Sequence, residues 1–336
     1  KKPMIVESSP TGKAVVEPTE LRRVLPLLVT GILLGGLAFI VDIPGVFRKL
    51  VTISPAFLGL AVTAMAANVL IVSLRYQQVL EKLATHRPVL RDVLNINLLT
   101  LFSAHFLPIG AAADGLRVSA TAFQFRLPVV IALEGVVHDR VLAIMGLLLC
   151  LFLILPLQVK LGVEEALLLS QLGFAIGFSA IAAALLRIGA RPARATGRWR
   201  ITVGEFVERF VSQVADIRCL LVHCALATAG TTAFAAMLYF LARGLAAEVS
   251  LFAAIAFAPA IYLSQVLPFF YVGFGAREAV SVALLAGSGT MDLETAVAIS
   301  VSVGVCNLLV SLPGALSASR YLGHISAFRR KPETQD

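Results

Sequence analysis

Apolar runs of membrane-spanning length recur along the whole chain. A helix needs about 20 apolar residues to cross the hydrocarbon core of a bilayer. The runs are continuous rather than alternating, which favours helices over the strands of a barrel. The pattern therefore predicts an all-α polytopic membrane protein. Six runs without Asp, Glu, Lys or Arg cover residues 25–41, 55–74, 142–157, 166–186, 220–241 and 296–316.

Composition and the ends of the chain agree with this prediction. Of the 336 residues, 58% are hydrophobic and only 14% are charged, whereas soluble domains carry about 25% charged residues. Residues 1–21 are polar and contain three prolines. We expect them to form a flexible cytoplasmic tail rather than a cleavable signal peptide. Residues 326–336 are expected to form a second cytoplasmic tail.

Basic residues are distributed unevenly between the connections, which predicts the orientation. Two connections, 75–91 and 187–218, together with the two ends of the chain, hold twenty Lys and Arg residues, and the alternate connections hold four. Cytoplasmic loops collect Lys and Arg. Both termini are therefore expected in the cytoplasm of a bacterium, with the chain in its plasma (inner) membrane. The net charge of +8 is explained by this topology, so no nucleic acid partner is expected.

A sequence match between the two halves predicts an internal repeat. The segments "LPIGAAADGLR" and "LPFFYVGFGAR" share Leu-Pro, six residues, Gly, one residue and Arg, at an offset of 160 residues. The apolar segments on both sides of each copy also correspond. We predict two membrane repeats, 22–160 and 161–325. An odd number of crossings in each makes them inverted, with about eight transmembrane helices and two re-entrant or broken-helix hairpins.

The second copy holds an adjacent Arg277–Glu278 pair behind a helix break. Proline removes a backbone donor and glycine permits a tight turn, so a helix is expected to restart near Ala276. Free N–H groups at that restart, beside an arginine, favour an anionic headgroup. The alternative is a tight break whose charges pair with other helices. The residues expected to break the helices are Pro108, Gly115, Pro268, Gly273 and Gly275.

The first copy has a larger set of ionisable residues at predicted membrane depth. Asp114 and Arg117 lie in the repeat, and Asp139 and Arg140 open the next helix. Such groups are costly in lipid and indicate a functional site. The four side chains could instead pair with one another as a permanent clamp.

Two further residues could carry protons. Glu134 and His138 are four apart and share one face of a helix, so a carboxylate beside a histidine could form a relay.

Between the halves, residues 199–215 alternate apolar and polar positions at helical spacing. They predict a cytoplasmic interfacial helix to which no chemistry is assigned.

These motifs, in this order, resemble a known membrane family. Asp114, Arg117 and Asp139–Arg140 resemble a Pro…Gly-Asp-x-x-Arg…Asp-Arg pattern, and "VGFGARE" resembles Gly-Gly-x-Gly-x-Arg-Glu. With Pro313–Gly314, they resemble the flippase-like membrane domain of lysylphosphatidylglycerol synthases. The chain looks like a stand-alone relative without the soluble synthase domain, so the resemblance implies lipid movement rather than synthesis. Alanines stand at 111–113, where the family tends to be glycine-rich.

The sequence predicts a flippase-like lipid translocator. An anionic or phosphate-bearing lipid would cross through a central polar cavity, with Arg117 and Arg277 binding phosphate and Asp114 and Glu278 holding those arginines when the site is empty. Asp139 and Arg140 complete the candidate site. No catalytic motif, metal site or cofactor is expected. One alternative is an accessory or scaffold subunit of a lipid-modifying enzyme. Another is an integral-membrane transferase using Glu134, His138 and Asp139.

Overall fold

The computed structural model describes most of the membrane region as helices. The described residues are 41–107, 110–163, 165, 168–169, 171–173, 175–180, 204–206, 208–211, 216–266, 276–287, 289 and 291–328. The helices are α1 (Ile43–Val51), α2 (Pro55–Leu83), α3 (Leu90–Ala104), α4 (Gly110–Phe125), α5 (Val129–Lys160), α6 (Ile217–Gly244), α7 (Leu251–Val266), α8 (Ala276–Ser281) with a π-helical continuation (Val282–Ala286), and α9 (Leu293–Phe328).

Four of these helices are long and apolar enough to cross a membrane. They are α2, α5, α6 and, within α9, Leu293–Ser317. Large apolar side chains such as Phe152, Leu153 and Leu316 are exposed on them, as expected for helices that face lipid. The prediction of an all-helical, multi-pass membrane protein is therefore confirmed. Of the predicted span at 25–41 only Val41 is described, and of the span at 166–186 the described residues 168–169, 171–173 and 175–180 are helical. The count of eight stays a prediction.

Local sequence signals explain where the long helices begin. Pro55 occupies the first turn of α2, a position that tolerates proline because its missing N–H has no partner there anyway. α6 begins after Asp216, whose side chain accepts a hydrogen bond from the Arg218 backbone N–H. Such a cap satisfies one of the orphan donors of the first turn.

The core is built from helices of both halves. α2 packs along α6, α3 packs along α9, and α5 packs along α7. The largest apolar cluster includes residues such as Phe234, Met237 and Phe257, all almost completely buried. A buried hydrogen bond joins α2 and α6 at 2.8 Å, donated by the Asn68 side chain to the carbonyl of Gly230. The two halves of the sequence are thus interleaved rather than separate in space.

The helices next to the repeated Leu-Pro…Gly-x-Arg segments are short. With 15 or 16 residues each, α3, α4 and α7 reach about 22–24 Å, less than the hydrocarbon thickness of about 30 Å.

A helix over Ala276–Ser281 agrees with the predicted restart. The predicted break at Gly115 is wrong, because Gly115 lies inside α4 and the interruption precedes Gly110. Pro108, Pro268, Gly273 and Gly275 lie outside the described residues.

A polar contact ties α1 to the start of α9. Lys49 donates to Asp292 at 2.5 Å and also to the Thr295 hydroxyl. Burial raises the pKa of Asp292, but the hydrogen bonds from Lys49 and Thr295 outweigh it and leave that pKa below its ordinary value. The carboxylate therefore stays ionised and holds the two helix ends together.

Candidate functional site

The charged residues of the first half form one connected cluster in the structure. Asp139 on α5 accepts a hydrogen bond from Arg75 Nε on α2 and forms an ion pair with Arg117 Nη1 on α4, both at 2.9 Å. Asp139 and Arg117 are 1% and 5% exposed. A carboxylate at this depth needs such partners, because an unpaired buried charge is strongly disfavoured. The single carboxylate thus joins three helices.

Arg117 has hydrogen-bonding capacity that the described protein groups do not use. Its guanidinium carbon lies 3.8 Å from the centroid of the Tyr76 ring, a cation–π arrangement. The Tyr76 hydroxyl in turn contacts Thr121 Oγ1 at 2.9 Å. Arg117 Nε and Nη2 are buried, and neither has a hydrogen-bond partner among the described residues. Buried donors are normally satisfied, so these two nitrogens have donors available for a further acceptor.

A second ion pair lies beside this cluster and is more accessible. Arg140 donates to Asp114 at 2.6 Å, and the two side chains are 38% and 23% exposed. The pairings considered from the sequence, Arg117 with Asp139 and Arg140 with Asp114, are therefore both present. Whether they act as a permanent clamp or as part of a binding site depends on the space around them.

These charges line a cavity of about 230 Å³ between α2, α3, α4, α5, α6, α7 and α9. We call the part of the cavity wall that carries these ion pairs the charged end. Its residues are Arg75, Asp114, Arg117, Asp139 and Arg140. The neutral end is lined by Asn68, Tyr262, Gln265 and Asn307. Asn68 lies two turns before Arg75 on α2, about 10 Å along the helix. The site therefore combines charged and uncharged hydrogen-bonding groups in one space.

The charged end lies at the ends of two apolar runs rather than midway along them. Arg75 directly follows the run 55–74, and Arg140 directly precedes a run that begins at Val141. The sequence interpretation counted Arg75 as a loop residue because it follows an apolar run. The structure corrects this, since α2 continues to Leu83 and Arg75 is buried. Its spacing of seven from Asn68, which places both on one helical face, is the signal that could have found it.

Arg277 and Glu278 form a separate cluster. Arg277 donates to Glu278 at 2.6 Å and to Ser300 Oγ on α9 at 3.1 Å. Both charged residues are almost fully buried, and neither lines the cavity. The Arg277 guanidinium lies so close to Gly304 that an added Cβ there would be 3.1 Å from Nη2. The structure thus brings together the site residues of the first half and places this pair of the second half elsewhere.

The segment between the halves makes a contact that the sequence did not predict. Residues 204–206 and 208–211 are helical, and we call them the linker helix; the rest of the predicted helix 199–215 lies outside the described residues. Arg209 donates to both oxygens of Glu134, at 2.6 and 2.7 Å. These hydrogen bonds raise the pKa of Arg209 above its ordinary value. A forked contact of this kind fixes geometry as well as charge.

The second residue proposed for a proton relay is enclosed by aromatic rings. His138 is fully buried, and its ring lies 4.7 Å from that of Phe206 and 5.1 Å from that of Phe210, measured between centroids. Its Nε2 is 3.9 Å from the nearer Glu134 oxygen. Glu134 and His138 are therefore neighbours, as predicted, and together they form the surface to which the linker helix docks.

We expect Arg209→Ala to lower the stability of the protein by about 1–3 kcal/mol, because it leaves the buried Glu134 carboxylate without its forked donor. Thermal unfolding of the purified protein in detergent measures this effect. Glu208→Ala is the matched control, since Glu208 is an exposed charge on the same helix. Equal unfolding temperatures for the two variants would show that the Arg209–Glu134 contact contributes nothing.

Comparison with known proteins identifies the family of this chain. No match was found among curated proteins. The family model described as "Lysylphosphatidylglycerol synthase TM region" matches residues 24–314, a range that contains the charged cluster, the Arg277–Glu278 pair and Gly314. The resemblance drawn from the motifs is thereby confirmed, and the chain belongs to the lysylphosphatidylglycerol synthase transmembrane-region family.

Proposed function

We propose that this protein moves an anionic, phosphate-bearing lipid between the leaflets of the bacterial inner membrane. The observation that carries the proposal is Arg117, a buried arginine that lines the cavity with two guanidinium nitrogens, Nε and Nη2, that have no acceptor among the described residues. Arginine presents a planar fork of donors that fits phosphate oxygens. Membership of a membrane lipid family supports the same reading.

The cavity replaces water for a group that lipid excludes. A phosphate headgroup crossing hydrocarbon alone would lose its hydration without compensation. In the cavity, the arginines of the charged end supply charge and donors, and the uncharged side chains of the neutral end supply further hydrogen bonds. The acyl chains remain in the surrounding bilayer. The chain is proposed to act without covalent chemistry, so the ion pairs serve binding rather than catalysis.

The packing of the two halves supports repeats related by a two-fold axis, which the proposed inverted arrangement requires. If repeat 22–160 corresponds to 161–325, then α2 corresponds to α6, α3 to α7 and α5 to α9. The contact of α3 with α9 is then the counterpart of the contact of α7 with α5, and α2 packs on its own counterpart α6. Such an exchange is what a two-fold axis between repeats produces. Inverted repeats favour a movement that opens one site to either leaflet in turn.

Substitution of Arg117 tests the proposal. In liposomes containing labelled anionic phospholipid, we expect Arg117→Gln to slow leaflet exchange about tenfold or more, because the buried donors to phosphate are lost. The protein should remain folded, since Asp139 keeps its hydrogen bond from Arg75. The measurement is the rate at which an impermeant reducing agent gains access to inner-leaflet label.

The control removes the same charge elsewhere. Arg48→Gln breaks an exposed ion pair between α1 and Asp42, the residue before that helix, where the side chains are 74% and 50% exposed, and should transport like the wild type. An Arg117→Gln protein that is folded and transports at the wild-type rate would contradict the site. Exchange no faster than in empty liposomes for the wild type would contradict lipid movement itself.

A further inference from the structure

We propose that α1 is an interfacial helix, which lies along the surface of the bilayer and inserts one stripe of apolar side chains between the lipids. α1 and the charged end lie near opposite ends of α2, because Arg75 follows Pro55 by twenty residues, or about 30 Å along the helix. This surface is therefore remote from the cavity, and lipid movement is not needed for its role.

An exposed apolar stripe runs along α1. Ile43, Phe47 and Val51 are spaced four residues apart, so they lie on one face in successive turns of the helix. They are 59%, 66% and 71% exposed, although each is a large apolar side chain. Single exposed apolar residues are ordinary on a protein surface, but a contiguous stripe of them indicates contact with an apolar partner.

The other sides of α1 have different surroundings. Val46 is buried and Leu50 is partly buried, and both belong to an apolar cluster with Val297 of α9. Because a helix turns by about 100° per residue, this protein-facing side adjoins the exposed stripe, and Arg48 and Lys49 lie on the remaining half. An apolar half shared between protein and exterior, opposite a half that carries two cations, is the pattern of a helix in a membrane interface.

The contacts of α1 place it at the level where membrane-spanning helices end. Its nine residues reach about 13 Å, too short to cross the hydrocarbon. Three residues join it to α2, and the last of them, Ser54, donates its backbone N–H to the carbonyl of Gly244 at the end of α6. Lys49 holds α1 to Asp292 just before α9. Since α2, α6 and α9 are membrane-spanning helices, their ends mark the boundary between hydrocarbon and headgroups.

Lipid is the partner that this position supplies. Apolar side chains exposed at the boundary of the hydrocarbon leave water by turning into the bilayer, and each gains the free energy of apolar burial. Arg48, whose side chain is 74% exposed, lies beside the stripe at the level of the headgroups, where lipid phosphates are suitable acceptors for a guanidinium group. α1 thus fits the boundary between headgroups and acyl chains in the leaflet opposite the charged end.

Tryptophan fluorescence tests the position of the stripe. Trp199 is the only tryptophan, so Trp199→Phe supplies a background without this signal, and Phe47→Trp adds one reporter on the stripe. The full chain is reconstituted in vesicles of phosphatidylcholine and phosphatidylglycerol, with or without bromine on the acyl chains. We expect brominated lipid to lower the emission of Phe47→Trp about twofold or more, because an inserted indole contacts the acyl chains.

The matched control lies one residue further on. Arg48→Trp places the indole on the polar half of the same helix, so brominated lipid should lower its emission far less. Both positions are exposed, so neither substitution disturbs the packing of α1 on α9. Weak quenching at both positions would overturn the inference, since the stripe would then face water or protein. Strong quenching at both would also overturn it, because the whole helix would be immersed in hydrocarbon.

Val51→Trp distinguishes a helix that lies along the surface from one that enters the bilayer end-on. Positions 47 and 51 are separated by about 6 Å along the helix axis. Bromines placed at several depths along the acyl chain should therefore quench both positions at the same depth if the axis is parallel to the surface. A difference in depth close to the full axial separation would contradict the interfacial orientation.

A change of protein density separates lipid from a second copy of the chain as the partner. Contact with lipid leaves the quenching of Phe47→Trp unchanged over about a tenfold range of protein-to-lipid ratio, because lipid is in excess throughout. Quenching that declines as the protein becomes denser would assign the stripe to an interface between copies and overturn the lipid assignment.

Discussion

Replacing Asp139 with alanine is expected to cost about 3–5 kcal/mol of folding free energy, the range found when a buried ion pair loses one partner. Asp139 is the shared counter-ion of Arg75 and Arg117. Without it, two buried guanidinium groups would lose the carboxylate that both of them contact. Thermal unfolding in detergent and the yield of folded protein measure the loss, and lipid exchange should disappear with it.

Two comparisons show whether charge or packing is responsible. Asp114→Ala also removes a carboxylate from an arginine, but that pair is partly exposed, so water can solvate Arg140 and the cost should be smaller. Adding Arg75→Met to Asp139→Ala removes one of the two stranded charges and should recover part of the stability. If Asp139→Ala unfolds no earlier than Asp114→Ala, the buried cluster does not hold α2, α4 and α5 together.

The fold class could be predicted from the sequence because the length of an apolar run is enough to indicate a membrane-spanning helix. A run of about 20 apolar residues has few alternatives to a membrane helix, and the structure has such helices over 55–83, 129–160 and 217–244. The ends of these helices were less predictable. Polar residues can continue a helix beyond the hydrocarbon, and for this reason Arg75 was counted with a loop although it lies buried in α2.

The site was predictable only where its partners belong to one motif. Asp114, Arg117, Asp139 and Arg140 are at most 26 positions apart in the chain, and their pairing was among the alternatives drawn from the sequence. The contact between Glu134 and Arg209 joins residues that are 75 positions apart in the sequence. Helical spacing relates only residues a few positions apart, so it could not predict this contact. Arg277 shows the reverse case. Its type and position favoured a phosphate site, but its nearest described acceptors are its own neighbour Glu278 and Ser300.

Glycine positions show a similar limit, since the same residue type has very different surroundings along the chain. A Cβ at Gly59 or Gly115 would meet nothing within 4 Å, whereas one at Gly314 would overlap the backbone of α3. The sequence contains 25 glycines without marking which of them allow two helices to approach closely. Only the packing of α9 on α3 identifies Gly314.

Gly314→Ala is expected to destabilise the protein by about 3 kcal/mol or more, at the upper end of the cost of overpacking. The added Cβ would overlap the carbonyl group of Leu98 and lie 2.8 Å from the Leu99 nitrogen. Backbone atoms inside a helix cannot rotate away as a side chain can, so α3 and α9 would have to separate. Size-exclusion chromatography and thermal unfolding of the detergent-purified protein measure the effect.

The controls distinguish a backbone clash from a general intolerance of alanine. Gly59→Ala should be neutral or slightly stabilising, because its surroundings are open and alanine is the better helix former by about 1 kcal/mol. Gly146→Ala should be destabilising, since its Cβ would overlap that of Ala227, but Ala227→Gly should rescue it by removing the atom it meets. No side-chain substitution at Leu98 can rescue Gly314→Ala in this way, because the atoms in its path belong to the main chain. A Gly314→Ala protein as stable as Gly59→Ala would mean that α3 and α9 do not pack this closely.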